Sequence, residues 1–190
     1  MSKGFGSTRI VKPYNYDRQL NINQFYREIK TGDYLPNYSH VSAKTGAYVL
    51  FQKGHNYHIE EMEVADALAD SGYNVKLTPE GDNYEMYATR IKKDGTYKFS
   101  EGTISMFTYE QKTTSVSGNK VASVSKAINH AIDKGAKIAL IYDRHGVLHR
   151  KDIAEGMKYN QSKSMKWKTN KLIVMVVNKK REVFEHHFDE

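Results

Sequence analysis

The sequence predicts an α/β (α+β) fold with a mixed central sheet and flanking helices. Three largely apolar segments, over 103–112, 137–142 and 171–177, are typical of strands that are covered on both faces. The segment between the first two strands has apolar residues at helical spacing. A strand, a helix and a strand in this order imply parallel strands joined by a right-handed crossover.

Length and composition limit what this fold can be. The chain has 190 residues, of which 39% are hydrophobic, enough for the core of one domain. We expect an N-terminal extension with a short helix over 1–45 and an α/β domain over 46–190. The absence of cysteine excludes disulfides, cysteine nucleophiles and cysteine-ligated zinc. No apolar run approaches about 18 residues, so we expect no membrane partner.

Charge is divided unevenly along the chain. Residues 51–111 contain 6 Lys/Arg and 11 Asp/Glu, a net −5, whereas residues 112–181 contain 16 and 4, a net +12. The formal net charge of +7 favours an anionic partner. An acidic middle before a basic half fits carboxylates gathered for a cation beside a surface for polyanions. A solvated basic face that only keeps the protein soluble has the same composition.

The first predicted elements are a helix and a short strand. Apolar residues at helical spacing predict a helix over 22–29, and Gly32 and Pro36 follow it. The apolar segment 47–51 predicts a short strand. The tyrosines of 38–51 either stack on bases or, as is commoner, lie half-buried in the core.

A helix predicted over 59–71 carries the first candidate site residue. Met62 and Leu68 belong to its apolar stripe, and Gly72 ends it. At about 100° per residue, Glu61 stands in the middle of that stripe. A glutamate on a face that packs against a sheet needs a partner, unless it is an exposed first-turn residue favoured by the helix dipole.

The remaining elements follow from turn signals and periodicity. Strands are predicted over 73–77, 84–91 and 97–99, and Lys93-Asp94-Gly95 is a hairpin turn between the last two. Beyond the central strand we expect a helix over 121–132 ended by Gly135, a weaker helix over 153–159, and an edge strand over 182–188.

The central strand, predicted over 103–112, ends in the charged pair Glu110 and Lys112. With a period of two, one face carries Ile104, Met106, Thr108, Glu110 and Lys112. A carboxylate and an ammonium at the end of a buried strand are costly unless they are paired, bind a metal or are functional. The alternative is a strand that simply leaves the core into solvent.

Three acids converge on one predicted site: Glu61 on the helix, Glu101 before the central strand and Glu110 within it. Hard cations such as Mg²⁺ take oxygen ligands, usually one or two carboxylates together with substrate phosphate and water. A lysine beside them, here Lys112, can orient the attacking water and offset the charge of the phosphorane. This set of residues indicates hydrolysis of phosphodiesters.

Two motifs resemble the PD-(D/E)xK nuclease superfamily. Glu110-Gln111-Lys112 is similar to the E-x-K half of its signature. Glu61-x-x-Val64-Ala65-x-x-Leu68, followed by Gly72-Tyr73-x-Val75, is similar to its leading helix and next strand. Within the superfamily the chain most resembles the C-terminal tRNase domains of contact-dependent growth inhibition toxins, from about His58 to Val177.

The resemblance implies a nuclease-like core within 46–190 and a role for each site residue. Glu101, Glu110 and the backbone carbonyl of Gln111 would hold Mg²⁺ or Mn²⁺, Glu61 would ligate through water or orient it, and Lys112 would act on the nucleophile. It further implies RNA, specifically tRNA, as substrate. A cognate immunity protein would be a partner, and the toxin would act in the cytoplasm after delivery from another cell.

One position departs from the superfamily's pattern. The superfamily usually has aspartate, often after proline, where this chain has Ser100-Glu101-Gly102. Either Glu101 substitutes for that aspartate, or another acid such as Asp94 takes its role, or the site is inactive.

Two other functions compete with the metal-dependent nuclease. The first is a metal-independent RNase that uses histidine as acid and base, for which the candidates are His55, His58, His130, His145 and His149. In particular, His55-x-x-His58-x-x-Glu61 could share one helix face. The second is a non-catalytic module of a mobile element or phage that only binds nucleic acid or a protein.

A lysine-rich segment precedes the strand that starts near Leu172. It contains Lys163, Lys166, Trp167 and Lys168. Because lysines are almost never fully buried, we expect a loop that binds substrate backbone, with Trp167 stacking on an unpaired base. The alternatives are a lid folded onto the domain and a solvated linker.

Overall fold

The computed structural model describes residues 18–162 and 172–188. The helices in these ranges are α1 (Arg18–Lys30), α2 (Ile59–Asp70), α3 (Lys120–Lys134) and α4 (Arg150–Ser162). The strands are β1 (His40–Val41), β2 (Tyr48–Phe51), β3 (Val75–Leu77), β4 (Arg90–Ile91), β5 (Tyr97–Lys98), β6 (Gly102–Ile104), β7 (Phe107–Thr113), β8 (Ile138–Asp143), β9 (Ile173–Asn178) and β10 (Val183–His187). A short 3-10 helix, Asp82–Tyr87, precedes β4.

Eight strands form one mixed sheet in the order β1-β2-β3-β6-β7-β8-β9-β10. The neighbours β2 and β3 are parallel, as are β7, β8 and β9, and the other pairs are antiparallel. The predicted mixed α/β fold is therefore confirmed. The helix α3 connects the parallel strands β7 and β8 as predicted, and Gly135 ends it with a left-handed φ of 76°.

Apolar side chains cover both faces of this sheet. The helix α2 packs on one face, where Leu68 lies in a cluster with Tyr109 and Leu140. The helices α3 and α4 pack on the other face, where Ile128 and Ile153 lie in a second cluster with residues of β8 and β9. Side chains that alternate along β7 and β8 therefore point toward α2 or toward α3 and α4 in turn.

The helix α1 covers the β1–β2 end of the sheet. Phe25 forms a third apolar cluster with Tyr34, Tyr48 and Leu50. The side chain of Arg18 donates a hydrogen bond to the backbone carbonyl of Ala43 (2.9 Å). The helix begins earlier than the segment that periodicity alone predicted. The division of the chain at residue 45 stays a prediction.

The predicted continuous strand over 103–112 is wrong, because the chain turns back on itself within it. The strands β6 and β7 form an antiparallel hairpin. Ser105 and Met106 make the turn with positive φ angles of 45° and 83°, the signs that a tight type I′ hairpin turn requires. Met106 is 90% exposed, and Ile104 belongs to the cluster on the α2 face, so neither shares a face with Glu110.

The hairpin ends before β7 does, and this opens the sheet beside β7. Gly102 pairs with Tyr109, and no strand of residues 18–162 or 172–188 pairs with that side of β7 beyond this point. On its other side β7 stays paired with β8 as far as Thr113. Side chains from the α2 face and from the α3 face therefore reach the same gap.

Two smaller predictions have mixed outcomes. The hairpin around Lys93-Asp94-Gly95 is present, and β4 and β5 form a separate two-stranded sheet. The predicted strand over 84–91 is wrong for most of its length, because the 3-10 helix occupies its first half. The predicted edge strand is confirmed, since β10 pairs antiparallel with β9. Within the described ranges, no helix is both long and apolar enough to cross a membrane.

Candidate active site

The gap beside β7 forms a cleft that contains all four predicted catalytic side chains. A cavity of about 330 Å³ is lined by Glu61, Glu101, Glu110 and Lys112. An adjoining cavity of about 460 Å³ shares Glu61, Glu101 and Lys112 and also contacts Gln111. The residues thus lie together as the sequence predicted, and their catalytic and metal-binding roles stay predictions.

Glu110 is the most deeply buried acid of the cleft, with 1% of the residue exposed. Lys112 Nζ lies 3.4 Å and His130 Nδ1 3.6 Å from its Oε1, and Lys134 Nζ lies 3.9 Å from its Oε2. Among the described residues, Oε2 has no hydrogen-bond partner. Burial raises the pKa of Glu110, although Lys134 and Lys112 oppose that rise. A buried carboxylate oxygen without a donor is available to a ligand.

Glu101 is brought beside Glu110 by the β6–β7 hairpin. Its backbone N–H donates to the carbonyl of Tyr109 (3.0 Å), and its own carbonyl accepts from Thr78 N–H (3.1 Å). Gly102 must be glycine, because a Cβ there would overlap the backbone carbonyl of Lys76 on β3. The backbone that carries Glu101 is thus fixed on both sides.

The carboxyl group of Glu101 is strongly perturbed by its surroundings. Burial, followed by repulsion from Glu61, Glu110 and Glu80, raises the pKa of Glu101 to about 8. Repulsion of this kind requires that the carboxylates lie near one another. Crowded acids with raised pKa values are typical of functional sites, since a fold gains no stability from them.

Glu61 is held by a buried histidine. His55 Nε2 lies 2.8 Å from Glu61 Oε2, and its Nδ1 lies 2.8 Å from the backbone carbonyl of Thr78. The exposed fractions of the two side chains are 4% for His55 and 13% for Glu61. Burial lowers the pKa of His55, but the bonds to Glu61 and Thr78 outweigh it, so that the pKa is raised. The pair fixes the orientation of the Glu61 carboxylate.

The acids of the cleft do not form a complete metal centre among the described residues. Within the described part of the chain, no three His, Asp or Glu side chains are grouped as a complete metal site. Mg²⁺, however, is commonly held by one or two carboxylates, with substrate phosphate and water completing its shell. Glu110, with its unpaired Oε2, and Glu101 line the same cavity, and their role as ligands stays a prediction.

Some predicted candidates lie elsewhere. Asp94 is in the β4–β5 turn, where its carboxylate accepts from Thr96 N–H (3.0 Å), and it lines neither cavity. His145 and His149 follow β8 and also line neither cavity. The shared helix face proposed for His55, His58 and Glu61 is wrong, because α2 begins only at Ile59. The histidines at 55 and 58 nevertheless line the cleft from the preceding loop.

The structure adds site residues that were not predicted as members of the metal site. Lys134 lines the cleft and lies 3.6 Å from Glu80 Oε1 as well as near Glu110. His130 stands one helical turn before Lys134 on α3, and the two share one helix face. This spacing of basic residues was visible in the sequence, but only the packing of α3 on β7 shows which carboxylate they meet.

The predicted nucleic-acid-binding segment lies outside the described residues. It comprises Lys163, Lys166, Trp167 and Lys168. Its role in binding RNA stays a prediction.

A scan against protein-family models finds no match, and a search of curated proteins also finds none. Among solved structures, the chain is similar to one described as "CdiA-CT/CdiI toxin and immunity complex from Burkholderia pseudomallei". The two chains are 17% identical, the similarity covers 68% of this chain and 83% of the other, and the TM-score is 0.46. A similarity of this degree establishes neither a family nor a shared activity.

Proposed function

We propose that this protein is a metal-dependent nuclease that hydrolyses phosphodiester bonds. One observation carries the proposal: Glu101, Glu110 and Lys112 line a single cleft, in which a buried carboxylate oxygen lacks a hydrogen bond. A fold keeps such a costly group when a ligand compensates for it. The sequence motifs that resemble PD-(D/E)xK tRNases favour RNA, and tRNA in particular, as the substrate.

The carboxylates of Glu101 and Glu110, with the backbone carbonyl of Gln111, would hold Mg²⁺ or Mn²⁺. When bound, the cation supplies positive charge to the phosphate oxygens and lowers the pKa of a water molecule. Glu61 would reach the cation through water or orient that water, and its bond to His55 fixes it for this role.

Basic side chains in the cleft support a phosphate ligand. Lys112 is 42% exposed, so its ammonium can leave Glu110 for a water molecule or a phosphate oxygen. His130 and Lys134 line the same cavity, and the ammonium of Lys134 offsets part of the negative charge of the acids. A site with acids alone would repel a polyanion.

A cleavage assay with tRNA, single-stranded RNA and DNA, in Mg²⁺, Mn²⁺ or excess EDTA, tests this proposal. We expect cleavage of RNA in the presence of the metals and none in EDTA. Lys112→Ala should be inactive, whereas Lys151→Ala, which removes an exposed lysine of α4, should be as active as the wild type. Tight nucleic-acid binding without cleavage in any metal would instead indicate a non-catalytic module.

A metal-independent RNase is the second candidate, and the position of His130 favours it. Its ring is 56% exposed and lies 3.6 Å from Glu110, so that a histidine and a carboxylate share the cleft. Such a pair can move a proton to and from a ribose hydroxyl and a leaving oxygen. Cleavage that persists in EDTA and is lost in His130→Ala would establish this mechanism.

We further propose, from the sequence resemblance, that the protein acts as a toxin. A cognate immunity protein would bind it, and delivery from another cell would bring it to the cytoplasm in which tRNA lies. Growth arrest on expression, suppressed by a gene encoded beside it, would support this role.

A further inference from the structure

Three aromatic rings beside the cleft form a surface that we name the aromatic patch: Phe51, Tyr38 and Tyr57. Phe51 is 1% exposed and lies beneath, whereas Tyr38 and Tyr57 are 43% and 51% exposed. The ring centroid of Tyr38 lies 5.2 Å from that of Phe51 and 5.4 Å from that of Tyr57. A buried ring thus supports two exposed tyrosine rings.

The aromatic patch is continuous with the candidate active site. Tyr57 stands in the chain between Asn56 and His58, and both of these residues line the cavity that contains Glu110. The ring of Phe51 also contacts that of His55, with a centroid distance of 5.0 Å. The patch therefore adjoins the cleft, and a ligand that leaves the cleft on this side would meet Tyr57.

The loop that carries Tyr57 is fixed at several points. The ring of His55 is bonded to Glu61 and to the carbonyl of Thr78, both at 2.8 Å. The N–H of Lys53 donates to the backbone carbonyl of Asp33 (2.9 Å). A surface that is already ordered loses little conformational entropy when a ligand binds to it.

We propose that the aromatic patch binds an unpaired nucleobase of the nucleotide next to the cleaved phosphodiester, with Tyr57 as the stacking surface and Tyr38 as its support. This inference rests on the proposed nuclease function and adds that the substrate is single-stranded at the cleft. In a duplex, the faces of the bases are covered by their neighbours, so only a splayed base can stack on a protein ring.

A polyanionic partner with planar groups fits these observations better than a peptide does. The cleft next to the patch carries Lys112 and Lys134, whose ammonium groups attract phosphates. The patch itself presents ring faces, and every nucleobase has a π-face to place on them. The specificity we expect is therefore for strandedness, with weak preference among bases.

Binding of a short single-stranded RNA that carries 2-aminopurine tests the inference, with the whole chain in EDTA to limit cleavage. Stacking should quench the probe's fluorescence. We expect Tyr57→Leu to lose this quenching and to bind about 5- to 150-fold more weakly, the range of one base–aromatic stack. Tyr57→Phe keeps the ring and should stay within about twofold of the wild type.

The matched control is Tyr26→Leu, because Tyr26 is 58% exposed on α1 and its ring contacts that of Phe25 (centroid distance 5.4 Å), which is not part of the aromatic patch. Thermal unfolding of each variant shows that it is folded. Unchanged affinity and quenching in folded Tyr57→Leu would overturn the inference, even if metal-dependent cleavage were found. Quenching that depends on Tyr57 without any cleavage would overturn only the proposed nuclease function. Equal affinity for duplex and single-stranded RNA would also overturn the inference.

Discussion

Glu110 on β7 and Asp143 on β8 are buried carboxylates on the same face of adjacent strands, with 1% and 2% of each residue exposed. Asp143 is fully paired: its Oδ1 accepts from Thr114 Oγ1 (3.1 Å) and Val147 N–H (2.9 Å), and its Oδ2 accepts from Leu148 N–H (3.0 Å). Glu110 has only the side-chain nitrogen atoms of Lys112, His130 and Lys134 at 3.4–3.9 Å, and its Oε2 has no bond within the described ranges.

The difference distinguishes an acid whose oxygen atoms the fold satisfies from one that we propose to be functional. The carboxylate of Asp143 ties the end of β8 to the loop that leads into α4, so its negative charge stabilises the fold. The charge of Glu110 lies beside a cleft, is crowded by other acids, and gains no short hydrogen bond. Equal burial therefore does not imply an equal role; what differs is whether the fold itself satisfies the buried oxygen atoms.

The largest effect that we expect is the loss of cleavage activity when Glu110 or Lys112 is replaced. Lys112→Ala and Glu110→Gln should each reduce cleavage by about 10²–10³-fold or more, because Lys112 would offset charge in the transition state and Glu110 would hold the cation. Glu110→Gln should leave the free energy of unfolding unchanged or slightly higher, since a neutral amide replaces a crowded buried charge. Cleavage rates and urea unfolding measure both. Wild-type activity in a folded Lys112→Ala variant would remove that lysine from the mechanism.

The largest loss of stability that we expect follows from replacing Asp143. Asp143→Ala leaves the partly buried N–H groups of Val147 and Leu148 without their acceptor and removes one of the two acceptors of the Thr114 hydroxyl, so we expect a loss of about 2–4 kcal/mol in the free energy of unfolding. Cleavage per folded molecule should stay near that of the wild type. The control is Asp152→Ala, which removes a partly exposed acid that accepts a bond from His149 N–H (2.8 Å) and should cost about 1 kcal/mol or less. Equal losses in the two variants would contradict the distinction.

The crowded acids of the cleft should make the free energy of unfolding depend on pH. The pKa of Glu101 is raised from 4.5 to about 8. Between these pH values the folded state binds more protons than the unfolded state. The contribution of Glu101 to the free energy of unfolding therefore falls as pH rises. Glu101→Gln removes this slope. In EDTA the variant should gain up to about 1–3 kcal/mol over the wild type near pH 8, and little near pH 5.

Urea unfolding at the two pH values measures this gain. Glu85→Gln, which replaces an exposed acid of the 3-10 helix, serves as the control. Mg²⁺ should narrow the difference at the higher pH, because a bound cation stabilises the ionised form of Glu101. A gain that is independent of pH would mean that Glu101 is not protonated in the folded protein.

The smallest expected effect is that of a single donor to Asp143. Thr114→Val removes the hydroxyl that bonds Asp143 and keeps the shape of the side chain, so a loss of about 1–2 kcal/mol is expected. Thr113→Val removes the hydroxyl bonded to Glu60 (2.6 Å), a partly exposed acid, and should cost less. Thermal unfolding shows which of the two variants loses more stability. A larger loss in Thr113→Val would contradict the structural role that we give to the hydrogen bonds of Asp143.

Much of the fold could be predicted from local patterns. Apolar runs identified β8 and β9, helical spacing identified α2 and α3, and Gly135 marked the end of α3. The same local rules placed Glu61 on the buried stripe of α2 and put Glu110 and Lys112 on one face of a strand. These features were accessible because side-chain direction in a helix or strand follows from sequence spacing alone.

The sequence by itself determined most of the helices and buried strands and the candidate acids Glu61, Glu101 and Glu110; the tertiary structure alone decided the order of the strands, the β6–β7 hairpin and how those acids meet. The turn at Ser105 and Met106 has no glycine or asparagine to signal it, and Ser105 N–H is held by the carbonyl of Asn74 (2.8 Å), far along the chain. That turn brings Glu101 beside Glu110. The approach of Lys134 and the missing partner of Glu110 Oε2 likewise depend on the packing of α3 against β7, because contacts between distant segments follow from the whole fold and not from local spacing.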